Sequence, residues 1–585
     1  MIGLLPDYKG DLILGNINTK DLLLHNVIYV REDRKNKTPD FLLVIIKNSR
    51  TGEKKLIKID EPPMMMYVVK NEYRNYDYLP AFMPLAYCDQ IKVKYNELID
   101  RIVEVIGDKG REFADLCKKN NYRALRNIHK YPYILGTDYD MESLFRIEWM
   151  LHYHDSEAKR LISKCYLDIE VDTIDCEGFP TDGLYPINAI SFVDDETKTA
   201  FEFILRNKKN PQIQELEDNL DKFIANCEET FNEQYPGFTY NIRFYDEEIL
   251  MIYELFLLIH KLKRDFCGIW NMPFDIPYII DRINVLGYEP KDIMCDPSFP
   301  AKILNYRKDI FHFDFKSKND SFILSSFTVF MDQRALYSKT RKGQSELKST
   351  KLDVIARKEL GDAKIIFDGN SNIKTAAYDN FEQFILYSIK DSLLLYGIED
   401  KTHDFDALFD YALVNGSQYS AVFSPTILLK NLAYISYYEQ GYIIGNNRNV
   451  DYSKPRDPEA EKLLSEEDDK YAGALVGDPE YNDHIGVPIF GKNSKYVMGD
   501  VVDADFSAMY PHIIIAHNIG PESMIGKIVL DGFDHLDIKP EENMYESGKY
   551  FLEAIMSQDY EFIGKTYLNL PSVEDMYDEI MNLKG

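Results

Sequence analysis

In the stretch Lys164-Cys165-Tyr166-Leu167-Asp168-Ile169-Glu170-Val171, apolar and polar side chains alternate with a period of two. That period predicts a strand with Cys165, Leu167, Ile169 and Val171 on one face and Tyr166, Asp168 and Glu170 on the other. Pro186–Val193 has the same character and is its expected hairpin neighbour. Upstream, the short apolar runs Val27–Val30 and Phe41–Ile46 alternate with charged turns. Helical patterns follow around Leu98–Val105 and Glu112–Lys119, predicting a small α+β domain over residues 1–135. Downstream, Asp246–Arg264 predicts a long amphipathic helix. Phe266–Arg282 reads as a short buried strand, a loop and a helix, with Asp275 expected as the helix N-cap. A further helix is predicted over Asp379–Glu399, with Asp379 as its cap and Glu382 three residues on. In that helix Tyr387 and Asp391 are one turn apart on one face. The pattern divides this part of the chain into 1–135 and an α/β region at 136–404.

Two carboxylates side by side on a strand repel each other unless one is protonated or a cation lies between them. Mg²⁺ suits such a place because it takes carboxylate oxygens and keeps waters for its substrate. Asp391, in mid-helix among leucines, also needs a partner if it is buried.

Charge first argues against phosphate-rich partners: the formal net charge is −29 over 585 residues. The distribution softens this, because residues 1–150 carry 24 Lys/Arg against 22 Asp/Glu. The basic stretch Lys118–Lys130 is a candidate phosphate contact. Seven scattered cysteines, with neither C-x-x-C nor zinc spacing, read as reduced thiols. The first residues lack the pattern of a signal peptide, and the longest aliphatic run, Phe41–Ile46, is far too short to span a bilayer. A cytoplasmic protein with no membrane partner is expected; if viral, its place is the host cytoplasm.

Asp168-x-Glu170, Asn271-x-x-Phe274-Asp275 and Tyr387-x-x-x-Asp391 together resemble, in order, the three proofreading-exonuclease motifs of family B DNA polymerases. Lys351–Gly361 is similar to the segment before the third motif, and Pro277-Tyr278-Ile279-Ile280-Asp281-Arg282 to the run after the second. Many members have three residues between the Asn and the Phe-Asp pair, where this chain has two. The resemblance implies an RNase H-like exonuclease domain. Its Asp168, Glu170, Asp275 and Asp391 would hold two Mg²⁺ or Mn²⁺ ions, and Tyr387 would orient the attacking water. Asn271 and Phe274 would meet the single-stranded 3′ end.

Tyr471-Ala472-Gly473-Ala474 resembles the family's segment between exonuclease and polymerase domains, implying DNA contacts at Tyr471 and Gly473. Asp503-Ala504-Asp505-Phe506-Ser507-Ala508-Met509-Tyr510-Pro511 is similar to polymerase motif A. Asp505 and the Phe506 carbonyl would then be metal ligands. The turn Ser507, Ala508, Met509 and Tyr510 would hold the dNTP, with Tyr510 under its sugar. The family's fingers signature K-x-x-x-N-S-x-Y-G and its palm D-T-D do not follow. The resemblance therefore implies the N-terminal portion of a split, phage-type polymerase: an N-terminal α+β domain (1–135) to which the chain returns at 405–465, an exonuclease domain (136–404) and a partial palm (466–585), without fingers or thumb. Its expected partners are primer–template DNA, dNTPs and a second polypeptide carrying fingers, motif C and thumb, with a sliding clamp as a further candidate. The alternatives are a stand-alone 3′–5′ exonuclease with a vestigial palm, and a non-catalytic DNA-binding scaffold.

Overall fold

In the computed structural model the described residues are 21–445, apart from 33–37, 75–81, 108–130, 132, 154–161, 177, 208–209, 309–319, 342–348, 368–372 and 423, together with 515–516, 527–530 and 563–567. They fall in two compact units. One comprises residues 1–69, 84–121 and 134–444; the other comprises 70–83, 122–133 and 445–585.

The first unit opens with an antiparallel sheet of β1 (Leu22–Val30), β2 (Phe41–Asn48) and β3 (Lys54–Asp60), in that order. The apolar runs read from the sequence are the C-terminal end of β1 and most of β2. Ile28, Phe41, Leu43 and Ile45 pack against Phe299 and Phe327. A second small sheet places β4 (Pro63–Val69) between β5 (Cys88–Lys94) and β6 (Ile134–Leu135). Helices α1 (Leu98–Ile106) and α2 (Met141–Tyr153) complete this part.

The central sheet has six strands: β7 (Lys164–Val171), β8 (Ile187–Asp194), β9 (Thr199–Leu205), β10 (Thr239–Tyr245), β11 (Phe266–Ile269) and β14 (Val329–Asp332). Their spatial order is β10-β9-β8-β7-β11-β14. The β7–β8 and β8–β9 pairs are antiparallel, and β7–β11, β11–β14 and β9–β10 are parallel. The expected hairpin of the Asp168 strand is thus present, with Asp168 opposite Ser191. Along the chain between β11 and β14, a separate antiparallel pair forms from β12 (Leu304–Arg307) and β13 (Ser321–Leu324).

Both faces of this sheet are covered. Cys165, Leu167 and Ile169 join a core with α5 (Glu248–Leu262) and α6 (Met272–Val285). Tyr166, Ala189 and Ala200 look the other way. They meet α3 (Pro211–Asp218), α4 (Leu220–Phe231) and α11 (Phe381–Thr402). The alternation read from β7 therefore separates two buried layers, not core from solvent. Helix α11 lies across β7, β8 and β9 and turns the wholly buried Ser388 and Ser392 toward them. Ser392 Oγ donates to the Ser191 carbonyl at 3.2 Å. Small side chains on that face let the helix approach the sheet closely.

Two expected caps move. The helix carrying Asp275 begins earlier, with Asn271 at the N-cap and Pro273 in the first turn, so Asp275 is inside the helix. Proline is favoured there because its missing N–H is one the helix start leaves unpaired anyway. The cap of α11 is Asn380, whose side chain accepts from Gln383 N; Asp379 ends the preceding helix α10 (Ile373–Asp379). Further described helices are α7 (Pro290–Met294), α8 (Gln333–Thr340), α9 (Leu352–Leu360), α12 (Asp404–Val414) and α13 (Pro425–Glu439). The six described cysteines are buried and free of disulfides. No described helix is long and apolar enough to cross a membrane.

Of the second unit, the described strands Lys527–Leu530 and Ile563–Tyr567 pair antiparallel. Motif A with Asp505, Phe506, Ser507, Ala508, Met509 and Tyr510, the Tyr471 and Gly473 segment, and the basic stretch Lys118–Lys130 lie outside the described residues.

Candidate active site

Strand β7 and helix α11 bring Asp168, Glu170 and Asp391 together: one carboxylate oxygen of each lies within 4.8 Å of the others. Asp168 is half-buried, and Glu170 and Asp391 are buried. The strand turns its carboxylates toward α11 because the opposite face is taken by the Leu167 and Ile169 core. Asp391 is fixed because Ile389, Leu393 and Leu394 anchor its helix in the other core.

Asp275 is buried at 3% exposure but does not belong to that tight group. It bonds to the backbone of Ile169, between the two strand carboxylates, and feels the charge of Asp168. Tyr387 sits one turn before Asp391, and its hydroxyl accepts from Lys364 Nζ at 2.9 Å. Lys364 also donates to Asp391.

Like charges in a dry place raise one another's affinity for protons. Burial, then the Asp391 charge, pushes the Asp168 carboxyl up to about 7. Burial, then Asp168 and Asp391, drives Glu170 well above the carboxylate range. Burial and Asp168 do the same to Asp275. Asp391 is also raised by burial, with Lys364 opposing. Burial alone would lower the Lys364 ammonium; Asp391, Tyr387 and Asp168 outweigh it and hold it charged.

A divalent cation fits this donor set. The oxygens are hard, three carboxylates converge, and Asp391 Oδ1 is a buried acceptor with no hydrogen-bond partner. Asp168, Glu170 and Asp391 could hold such an ion, with Asp275 at the margin.

Phe274, one residue before Asp275, packs its ring at 4.9 Å from Phe179 and 5.4 Å from Tyr278. Phe179 is 67% exposed. Asn271 Oδ1 is buried and without a hydrogen-bond partner. Sequence reasoning missed three residues here. Lys364 follows helix α9 in a stretch with no helical or strand period, so nothing in the pattern singled it out. Phe179 lies in a turn-rich connection. Glu202, wholly buried on β9, completes a row across three strands from Asp168 through Ser191. Its carboxyl lies near the Ser388 and Ser191 hydroxyls, and burial holds it well above the usual range. An acid in the middle of an otherwise apolar strand was the available signal.

No family model matches the sequence. The chain is 26% identical over 393 residues to the DNA-directed DNA polymerase of Escherichia phage RB69. The match covers 65% of this chain and 38% of that polymerase.

Proposed function

We propose that this chain is a family B-type DNA polymerase component with a 3′–5′ exonuclease centre at Asp168, Glu170, Asp275 and Asp391. One observation carries the reading: residues from motifs far apart in sequence place three carboxylates within 4.8 Å on a strand and a helix. The strand order, three antiparallel strands continued by two parallel ones, supports an RNase H-like domain. The similarity to a phage DNA polymerase supports the wider assignment.

In this reading the substrate is the single-stranded 3′ end of DNA. Two Mg²⁺ or Mn²⁺ ions held by the carboxylates would activate the attacking water and stabilise the leaving oxygen. Tyr387, kept protonated by burial and by Asp391, offers its hydroxyl to orient that water. Lys364 fixes Asp391 and Tyr387 relative to each other. Asn271 and Phe274, with Phe179 beside it, contact the last bases. The polymerase half of the proposal rests on sequence alone. There Asp505 and the Phe506 carbonyl bind metal, Ser507–Tyr510 hold the dNTP, Tyr471 and Gly473 touch DNA, and a second polypeptide supplies the remaining motifs.

The test is degradation of a 5′-labelled single strand by the purified chain with Mg²⁺. Asp168→Ala with Glu170→Ala should reduce it by at least about 10³-fold, as expected when a metal site is removed. Degradation that persists in the pure double variant would sink the assignment.

A further inference from the structure

The run Pro277–Arg282 has no role in the chemistry above, yet its Tyr and Arg stand one turn apart on α6 and reach the same segment of chain. That segment, Gly183–Ile187, ends the connection from β7 to β8. Arg282 Nη1 donates to the Gly183 and Leu184 carbonyls at 3.1 and 2.9 Å. Its Nε and Nη2 donate to Glu248 at 2.8 and 2.6 Å. Glu248 in turn accepts from Ile187 N at 2.8 Å. The Tyr278 hydroxyl donates to the Tyr185 carbonyl at 2.8 Å and accepts from Tyr185 N at 3.1 Å. Gly183 has φ +62°, and a Cβ there would stand 2.4 Å from Arg282 N, so the backbone lies flush on the helix.

We propose that Tyr278, Arg282 and Glu248 are positioning residues that clamp the β7–β8 connection so that it presents Phe179 and Leu184 to an unpaired DNA end. This rests on the exonuclease reading above. A buried Arg–Glu pair by itself would be only a piece of core, and such pairs contribute little net stability. Here the spare guanidinium donors go to main-chain carbonyls of the connection, the arrangement that fixes a backbone. The connection exposes Phe179 at 67% and Leu184 at 62%. From the other side, Lys374 donates to the Cys176 carbonyl at 3.0 Å and Tyr378 bonds to Asp172. An exposed ring, Phe179, and an exposed aliphatic side chain, Leu184, held on an anchored loop bind bases without the ordering cost of a free loop. The clamp starts on the helix that carries Phe274 and Asp275, so it ties this surface to the carboxylates.

The experiment uses the full chain and an oligo-dT carrying 2-aminopurine at its 3′ terminus. Binding is titrated by fluorescence in EDTA, and hydrolysis is followed separately with Mg²⁺. Tyr278→Phe, which removes one hydroxyl and no charge, should weaken binding about three- to tenfold, the worth of one or two hydrogen bonds. Arg282→Lys should weaken it more, because an ammonium lacks the fork. For both, kcat at saturating oligonucleotide should stay within about twofold of the parent while KM rises. Circular dichroism confirms that the variants are folded; should Arg282→Lys not fold, Tyr278→Phe decides. Folded Tyr278→Phe that binds like the parent, or loses kcat with KM unchanged, overturns the clamp. Absence of hydrolysis by the parent, with binding still weakened by Tyr278→Phe, overturns the exonuclease reading and leaves the clamp standing.

Discussion

Two buried aspartate centres in the first unit behave in opposite ways. Asp265, just before β11, lies between Lys47 Nζ at 2.5 Å and Lys54 Nζ at 2.9 Å, and also accepts from Ser163 N and Oγ. Its carboxyl is held well below the ordinary range: burial opposes this, but Lys54, His25 and Lys47 together prevail. His25 beside it is pushed down to about 3 by burial and Lys54. At the other centre, Asp168, Glu170, Asp275 and Asp391 are all pushed up, with Lys364 as the cation that opposes the shift at Asp168, Glu170 and Asp391. The difference is not burial, which both share. It is charge balance: the first centre carries its own counter-ions, while the second carries an anion surplus. A completed ion cluster ties β2 and β3 to the sheet. An uncompleted one is what a cation site requires.

The largest expected effect comes from breaking the completed centre. Asp265→Ala would leave Lys47 and Lys54 buried without a counter-ion, at a cost of about 3–5 kcal/mol in urea unfolding. A loss below about 1 kcal/mol would mean that the lysines find other partners and that the contrast is not one of charge balance.

Next is a difference in pH dependence, measured in EDTA so that no cation intervenes. Asp265 has a lowered folded value. Its contribution is present above about pH 4, the unfolded range, and fades as the pH falls below it. Asp168 has a raised folded value of about 7, so between about pH 4 and 7 the folded chain binds more protons than the unfolded one. Stability from that centre therefore increases as the pH falls from 7 toward 4. Asp168→Asn with Glu170→Gln should flatten this increase, leaving the part that Asp275 and Asp391 contribute, and leave the acid limb below pH 4 in place. Parallel curves for parent and variant would refute it.

The fold and the two centres were not equally legible in the sequence. The alternation of Lys164–Val171 gave its faces, its hairpin partner and the side of the strand that holds the carboxylates. Resemblance to the family's exonuclease motifs named Asp275, Tyr387 and Asp391; taken alone, Asp275 read as a helix cap. Caps were read one to four residues off, since Asp and Asn compete for the same role; Pro273 was the better guide to the start of α6. Lys364 and the Asp265 cluster were not visible, and Glu202 showed only as an acid in an otherwise apolar strand. Their partners are distant in sequence, and neither periodicity nor local propensity records a contact between remote segments. Arg282 was noticed only as part of a run; its function became arguable once Gly183 was found against the same helix.

The smallest expected effect separates a counter-ion from a catalytic group. Lys364 donates to Asp391 and to Tyr387, and its ammonium is held charged by that contact. Replacing it by Met removes the hydrogen-bonded cation from the anion surplus. In EDTA at pH 8 this should cost about 1–2 kcal/mol of stability, the worth of a hydrogen bond to a charged group. With saturating Mg²⁺ the cost should shrink, because ions at the carboxylates neutralise the charge that Lys364 had opposed. If Lys364→Met costs the same with and without Mg²⁺, the lysine is an ordinary fold element, and the anion surplus is not what distinguishes this centre from the one at Asp265.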